Sequence, residues 1–441
     1  MHSLMDTALE SNRRIKINFD GGDLSSDSGL LLVNEFSSKM GFDNVIDKHF
    51  QTNDSASFRH HTDGENLLQV IFQTQSAYFE DDCADELTND PVFTAILGKP
   101  ALASQPTLSR FYNRMDADTL TQFDEIARKL RSIVYSVKPP EMILFDLDTT
   151  LLETYGKQEG EAFNFHYRAH GYHPFVCYDG LTGDLLRAQL RKGSDYSSNG
   201  VCEFMQPLFD EFLNNYPGTA LYLRGDSGFA TPDLYKQCET NGTSYVIRLK
   251  ENATLRALAA ELDAELTEIT RENMVDYAVV YGEFYYKAGS WDYERRVVCK
   301  IEKPADQMVH MCTFIVTNMD LSPEKAIMFY CNRGRMENFI KEAKNGFDFG
   351  AVSSRTEIVN ANRLQVHVLA YNIFNWFRRL ALPESMRKLT VDTVRLKLLK
   401  IASRLIRSAG YIIFKLCSSC PYKREFYKTL ENIRSLRPQL A

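Results

Sequence analysis

The spacing of apolar positions changes near residue 138. Up to there the chain reads as mainly helical, beginning with LSSDSGLLLVNEFSSKMGF. Within SQPTLSRFYNRMD, Ser104 or Thr107 can cap a short helix that presents Arg110 and Arg114. SVKPPE, Ser136 to Glu141, marks a boundary. Beyond it come strand signals. MILFDLDTTLL is one strand, and HPFVCYDGLTGDLLRAQLRKG is two strands turning around Thr182, Gly183 and Asp184. GVCEFMQPLFDEFLNNY predicts a helix, ALYLRGDSGF a strand, TPDLYKQCETNG a helix and SYVIRLK a strand. This order implies an α/β fold, a mixed sheet flanked by helices. A β-rich block follows at about 252–321. YCNRGRMENFIKEAKNG then predicts one helix, and RKLTVDTVRLKLLKIASRLIRSAGYIIFKL an amphipathic helical tail. The domains expected are 1–138, 139–385 and 386–441.

On a single helix at about 100° per residue, Tyr330, Arg333, Glu337, Lys341 and Lys344 fall within roughly 80° of one another. Met336, Phe339, Ile340, Ala343 and Phe347 form a flanking stripe suited to docking on a core. Glu342 lies elsewhere and is expected to be an ordinary surface residue. By itself this pattern describes a solvated helix with ion pairs at three- and four-residue spacing.

The preceding strands change that picture. Asp146 and Asp148 are two apart on an apolar strand, so they share a face. Asp226 ends the strand LYLRGD just before a Ser-Gly turn. Charge within an apolar strand is costly unless it is paired or bound to metal. Two such strands and a carboxylate on a docking helix are what a two-Mg²⁺ site requires, hard oxygen ligands that activate water or a 3′-hydroxyl and stabilise the leaving oxygen.

Composition adds limits. The 441 residues, 44% hydrophobic and 25% charged, allow two or three domains of an ordinary soluble protein. No run of about 18 apolar residues suggests a membrane span, and the N-terminus lacks the apolar stretch of a signal peptide. The nine cysteines are scattered; Cys417 and Cys420 form a CxxC with no second ligand pair, so reduced, mostly buried cysteines of a cytoplasmic protein are expected. The net charge of −7 is uneven: residues 371–441 hold 15 Lys and Arg against 4 Asp and Glu, or +11, leaving −18 on the rest. A basic tail on an acidic body suits a polyanion.

Two families are resembled. ILFDLDTTLL is similar to the first motif of haloacid-dehalogenase-type phosphatases, which implies Asp146 as nucleophile and Asp148 as acid/base. The second resemblance covers the chain from about Asn18 to its end. Tyr330, Arg333, Glu337 and Lys344 match the Tyr-x2-Arg-x3-Glu-x6-Lys signature of bacterial insertion-sequence DDE transposases, and DLDTTLLETYGKQEG, RGDSGFA and RGRMENFIKEAK occur in that family's order. Asp148 and Asp226 are 78 residues apart, Asp226 and Glu337 111. This resemblance implies an RNase H-like catalytic core with a β-rich insertion, between a helical N-terminal region and a basic helical C-terminal region. It implies catalysis and Mg²⁺ or Mn²⁺ binding by Asp148, Asp226 and Glu337, with Asp146 as an extra ligand or a partner behind them. Tyr330, Arg333, Lys341 and Lys344 would face DNA phosphates.

Trp291 would stack on a flipped base or else fill the insertion's own core; Arg110 and Arg114 would help the N-terminal helices hold DNA. The polar loop LRKGSDYSSNG would lie near the metals, with Arg191 and Lys192 near phosphate, while His166, His170 and His173 follow no zinc spacing. The implied partners are the element's inverted repeats and target duplex, held by a dimer in the DNA complex. A transposase descendant that binds without cutting is the remaining alternative.

Overall fold

In the computed structural model, which describes residues 6–440 apart from 55, 57, 274, 275, 306 and 308, the chain forms two compact units. One comprises 1–138, 342–349 and 365–441, the other 139–341 and 350–364. The division follows packing rather than three consecutive segments: 386–441, expected to stand apart, belongs with the N-terminal helices. Among the described residues no helix is long and apolar enough to cross a membrane.

The first unit begins with helices α1 (Leu30–Lys39), α2 (Phe42–His49), α3 (Asp63–Gln75), α4 (Pro91–Leu97), α5 (Gln105–Asn113) and α6 (Ala117–Val137). Local chemistry sets their starts. Thr62 and Glu65 form a capping box for α3, Asp116 and Thr119 one for α6, and Asp90 caps α4 ahead of Pro91. Phe36 and Phe42 meet edge-on at 5.7 Å, and Phe377 and Trp376 close on them at 5.8 and 5.6 Å.

The second unit is built on an eight-stranded sheet. Its strands are β1 (Met142–Thr149), β2 (Phe175–Asp179), β3 (Leu185–Gln189), β4 (Ala220–Gly225), β5 (Ser244–Leu249), β6 (Ala278–Tyr286), β7 (Arg295–Lys303) and β8 (Met311–Thr317), in the order β6-β7-β8-β5-β4-β1-β2-β3. β1, β4 and β5 are parallel and the other neighbours antiparallel. The β2–β3 turn falls at Thr182–Asp184, with Gly183 at φ 74°. Helices α7 (Val201–Asn215) and α8 (Pro232–Thr240) make the crossovers into β4 and β5. α7 packs on the sheet, with Phe209 and Phe212 5.6 and 5.5 Å from Phe145 of β1.

Three expectations are corrected, and one connection for which no element was predicted has structure of its own. The block at 252–321 opens with two helices, α9 (Ala253–Leu258) and α10 (Ala260–Asn273), and its strands extend the main sheet through β8–β5 pairing instead of forming a separate insertion. The stretch from Tyr330 to Gly346 is two helices, α11 (Pro323–Cys331) and α12 (Gly334–Phe347), broken at Asn332 and Arg333. The β1–β2 connection folds a small sheet of its own from Leu152–Glu153, Ala162–Asn164 and Ala169–Tyr172. Finally, after α13 (Glu357–Leu380), the tail predicted as a long amphipathic helix forms α14 (Val391–Val394), a wide turn at Arg395–Leu399, and the hairpin β9 (Ser403–Ser408)–β10 (Tyr411–Leu416), before α15 (Lys423–Ser435). Ala409 and Gly410, both at positive φ, make the hairpin turn.

Glu342, expected to be a surface residue, is a structural anchor of the first unit. It accepts two hydrogen bonds from Arg378, at 2.8 and 2.9 Å, and one from Val391 N at 2.9 Å.

Within the sheet, Arg224 of β4 lies in register with Asp146 of β1. Its Nε and Nη2 donate to the two carboxylate oxygens, each at 2.6 Å, and both side chains are buried. Gly180 makes room for the carboxylate, since a Cβ there would stand 2.2 Å from Asp146 Oδ2. The remaining Arg224 donor, Nη1, reaches the Phe329 carbonyl in the last turn of α11 at 2.7 Å, where helix carbonyls lack intrahelical partners. Arg224→Met strands the Asp146 charge in the interior, so urea denaturation is expected to show a loss of about 3–5 kcal/mol; a loss under about 1 kcal/mol, the scale of a surface pair, would show that the pair does not hold the sheet.

Candidate active site

Register decides which acids meet. β1 and β4 run parallel with Leu147 opposite Gly225, so Asp226, the next residue, comes level with Asp148. One row of the sheet face is therefore the neutral Asp146–Arg224 pair. The row above it, at the carboxyl ends of two adjacent parallel strands, carries two carboxylates. Thr149 N donates to Asp148 Oδ1 at 2.8 Å, and Gly228 N to Asp226 Oδ1 at 2.8 Å, which orients each acid from below.

Arg333, in the break between α11 and α12, places Nη2 2.7 Å from Asp148 Oδ2, with about one seventh of either side chain exposed. Burial works against the guanidinium's charge, but Asp148 and Asp226 outweigh it and raise its pKa. Glu337, on the exposed side of the first turn of α12, is close enough for its charge to act on Asp148. Burial pushes the Asp148 carboxyl up to about 6; Arg333 opposes this, and the negative charges of Asp226 and Glu337 add to it.

The other expected residues separate into contacts and structure. Tyr330, on α11, packs its ring among Val246, Val298, Ile315 and Ile327. Burial raises its pKa, while Arg333 and Arg248, the latter hydrogen-bonded to the hydroxyl, draw it down. The shared helix face of Tyr330 and Glu337 thus does not exist; the turn at Arg333 brings the two segments together instead. Lys341 is exposed, and Lys344 is half-buried in the portion of α12 that belongs to the first unit.

Asp146 is fully engaged by Arg224 and offers no open oxygen. Trp291 is 5% exposed, edge-on to Tyr235 and Tyr286 at 5.4 Å each, so it fills a core and presents no face to a base. Arg114 is likewise internal, bonded to Asp63 at 2.8 Å and Thr52 at 3.0 Å, whereas Arg110 is exposed. Arg191 lies 3.5 Å over the Phe175 ring and donates to the carbonyls of His173, Tyr196 and Asn199, so it shapes the polar loop. That loop comes beside Asp148's neighbour, with Ser197 Oγ 3.5 Å from Thr149 Oγ1. His170 pairs with Glu161 and His173 with the Asp195 carbonyl.

Sequence reasoning missed two residues. Arg224 is two positions before Asp226 on the same strand, and the alternation that aligned Asp146 with Asp148 also aligns Arg224 with Asp226. Tyr167 had no comparable signal. It lies in the turn of the small sheet, where Asn164 Oδ1 accepts from the backbone N–H groups of His166 and Tyr167 at 3.0 and 3.2 Å. Its hydroxyl donates to the Thr149 carbonyl at 3.4 Å. Burial together with Asp148 and Asp226 pushes its pKa up to about 12, so it stays a protonated donor beside the carboxylates.

Among the described residues no three His, Cys, Asp or Glu side chains converge in an arrangement that holds a metal ion. The donor set is nonetheless the right kind for a hard cation: Asp148 and Asp226 supply oxygens from neighbouring strand ends, with Glu337 in electrostatic reach. Because the folded-state pKa of Asp148 lies above the ordinary 3.8, its contribution to stability is intact below that value and is lost as pH rises through about 6. Asp148→Asn removes this loss. In chelator-containing buffer its melting temperature relative to wild type is expected to be a few degrees higher at about pH 7.5 than at about pH 4.5; a difference that stays flat or falls would refute the raised pKa.

No curated protein matches the chain. Among solved structures, one likeness is to piggyBac transposase in a synaptic complex with hairpin DNA, at 13% identity and a TM-score of 0.41, covering 95% of this chain and 86% of that one. So loose a likeness says nothing about how this chain acts. A family model described as "Transposase DDE domain group 1" matches residues 7–438. That match takes in both units and every acid of the site: the chain belongs to the DDE transposases of this group.

Proposed function

We propose that the protein is an insertion-sequence transposase that binds the terminal inverted repeats of its element, as a dimer in the DNA complex, and performs Mg²⁺-dependent strand cleavage and strand transfer. The observation that carries this reading is the level pair Asp148 and Asp226, with Glu337 within electrostatic reach and Arg333 on Asp148. Three antiparallel strands followed by two parallel strands reached through helices support an RNase H-like reading of the core. The family generally uses divalent metal ions. Asp148, Asp226 and Glu337 would hold them, and the metal would supply an activated hydroxyl nucleophile and stabilisation of the leaving oxygen.

The chain's own residues do the rest. Arg333 neutralises Asp148 and is placed to turn from it to a phosphate oxygen, a bidentate-capable partner at the acids. Tyr167, whose hydroxyl donates to the Thr149 carbonyl beside Asp148 from a turn preorganised by Asn164, would turn that donor to the same phosphate. Arg224 holds the two acid-bearing strands level and leaves the reacting group alone. The phosphatase alternative is disfavoured by the same pair, because it requires Asp146 as a free nucleophile and both Asp146 oxygens are bound.

The test is cleavage of labelled duplex carrying the flanking inverted repeat, with Mg²⁺. Asp148→Asn and Glu337→Gln are each expected to slow nicking by more than about 100-fold, the scale of losing one preorganised electrostatic group, while repeat binding persists. Wild type that binds the repeat tightly and never cuts it would point to a binder that has lost catalysis. Tyr167→Phe, which removes only the hydroxyl, is expected to slow single-turnover cleavage about tenfold, as one charge-assisted hydrogen bond predicts; an unchanged rate would take Tyr167 out of the site.

A further inference from the structure

The hairpin β9–β10 has an unusual environment for a strand pair. Its base is fastened within the first unit. Ser403 and Arg404 pair with Ser25 and Leu24, Leu405 N donates to the Asp23 carbonyl at 2.8 Å, and Cys417 N to the Ala402 carbonyl at 2.8 Å. Lys400, just before it, pairs with buried Asp27 at 2.6 Å. Beyond Leu405, among the described residues, the two strands pair only with each other. β10 is not fully buried at any position, and Tyr411, Ile412 and Ile413 are 72%, 54% and 41% exposed.

The charge on this ribbon has one sign. Between Asp392 and Glu425 the chain has eight Lys and Arg and no acid. On the ribbon, Arg404 stands directly opposite Lys415, and both are exposed. Neither has a carboxylate partner among the described residues. Like charges directly across a strand pair are destabilising, so this arrangement calls for an anion that spans both. On the same face, by alternation from Arg404 and Lys415, lie Ile413 and Tyr411. Arg407, on the opposite face, meets Asp23 at 3.5 Å with both side chains about two-thirds exposed.

We propose that β9–β10 is a DNA-binding ribbon that enters a groove of duplex DNA, with Arg404 and Lys415 on backbone phosphates and Tyr411 and Ile413 toward sugars or base edges. The major groove admits a two-stranded β-ribbon, and an exposed hairpin of two six-residue strands with cations at its base and an apolar, aromatic end suits that entry. A second copy of the chain is the poorer partner. Every charged side chain on the ribbon is positive, so two ribbons edge to edge would set like charges together. The proposal rests on the transposase reading and assigns it a DNA contact separate from helix α5.

The experiment is equilibrium binding of the full chain to duplex carrying the inverted repeat, across a salt series, with Arg404→Gln/Lys415→Gln beside wild type. Loss of two phosphate contacts should flatten the slope of log K against log salt by about 1.8 and weaken binding at least tenfold at about 0.1 M salt. Tyr411→Ala should weaken binding with the slope unchanged. A shared melting temperature for all three proteins shows that folding is intact. If wild type binds and the double variant keeps its slope, the ribbon assignment fails while the transposase reading stands. If the double variant instead alters the oligomeric state without DNA, by light scattering, the ribbon is a surface between copies and the assignment also fails. If wild type binds no duplex, the assignment and the reading fall together.

Discussion

The geometry of the candidate site depends on a buried ion pair whose carboxylate oxygens are both engaged. Asp146 and Arg224 sit side by side on adjacent parallel strands, joined by two hydrogen bonds of 2.6 Å. A single carboxylate at that depth would be expensive. The pair removes the cost only if β1 and β4 keep this register, and this register also sets Asp148 level with Asp226. The third donor of Arg224 ties the Phe329 carbonyl, and with it the end of α11, to the same point. Four residues on, Arg333 meets Asp148. One guanidinium therefore aligns three segments that the chain order keeps far apart.

Above that pair the electrostatics reverse. Two carboxylates on neighbouring strand ends, with a third in reach, repel one another and are partly dehydrated, and this raises Asp148. Positive charge must enter, and Arg333 is what the chain itself supplies. A guanidinium held only by the charge it neutralises is suited to exchange with a cation or to follow a phosphate. The protonated Tyr167 hydroxyl beside it can donate to an anion without adding negative charge.

The first unit relies on buried charge in another way. Arg395 is 4% exposed and donates to the carbonyls of Gln75 and Thr74, at 2.7 and 2.9 Å, where α3 ends, and also to the carbonyl of Gly346. Glu342 binds Arg378 and Val391 N. Such residues read from sequence as surface charges, since Arg and Glu are mostly exposed. In this unit they bond the end of a helix and backbone groups of distant segments.

Local pattern alone determined the strands β1 to β5, the helices between them and the presence of two carboxylates two apart on β1. Those follow from side-chain alternation and turn chemistry within a few residues. The acids Asp148, Asp226 and Glu337 were singled out through a family resemblance, and the fold brings the first two level and the third within electrostatic reach. Which acid is free was chosen through the resemblance and was not legible from the strand pattern itself. Asp146 and Asp148 are equivalent by alternation, and only a partner 78 residues away, Arg224, occupies the first and leaves the second. Trp291 was left open between a base and a core, and Arg114 read as a DNA contact, because a sequence shows a polar neighbourhood but not the aromatic or acidic side chains that fold over it. The tail misled for a subtler reason: ASRLIRSAGYIIFKL satisfies helical and alternating spacing alike, and the choice fell to pairing with Leu24 and Ser25, almost 380 residues earlier. Short-range periodicity is fixed by covalent geometry, whereas register, burial and the partner of each charge are decided only when distant segments meet.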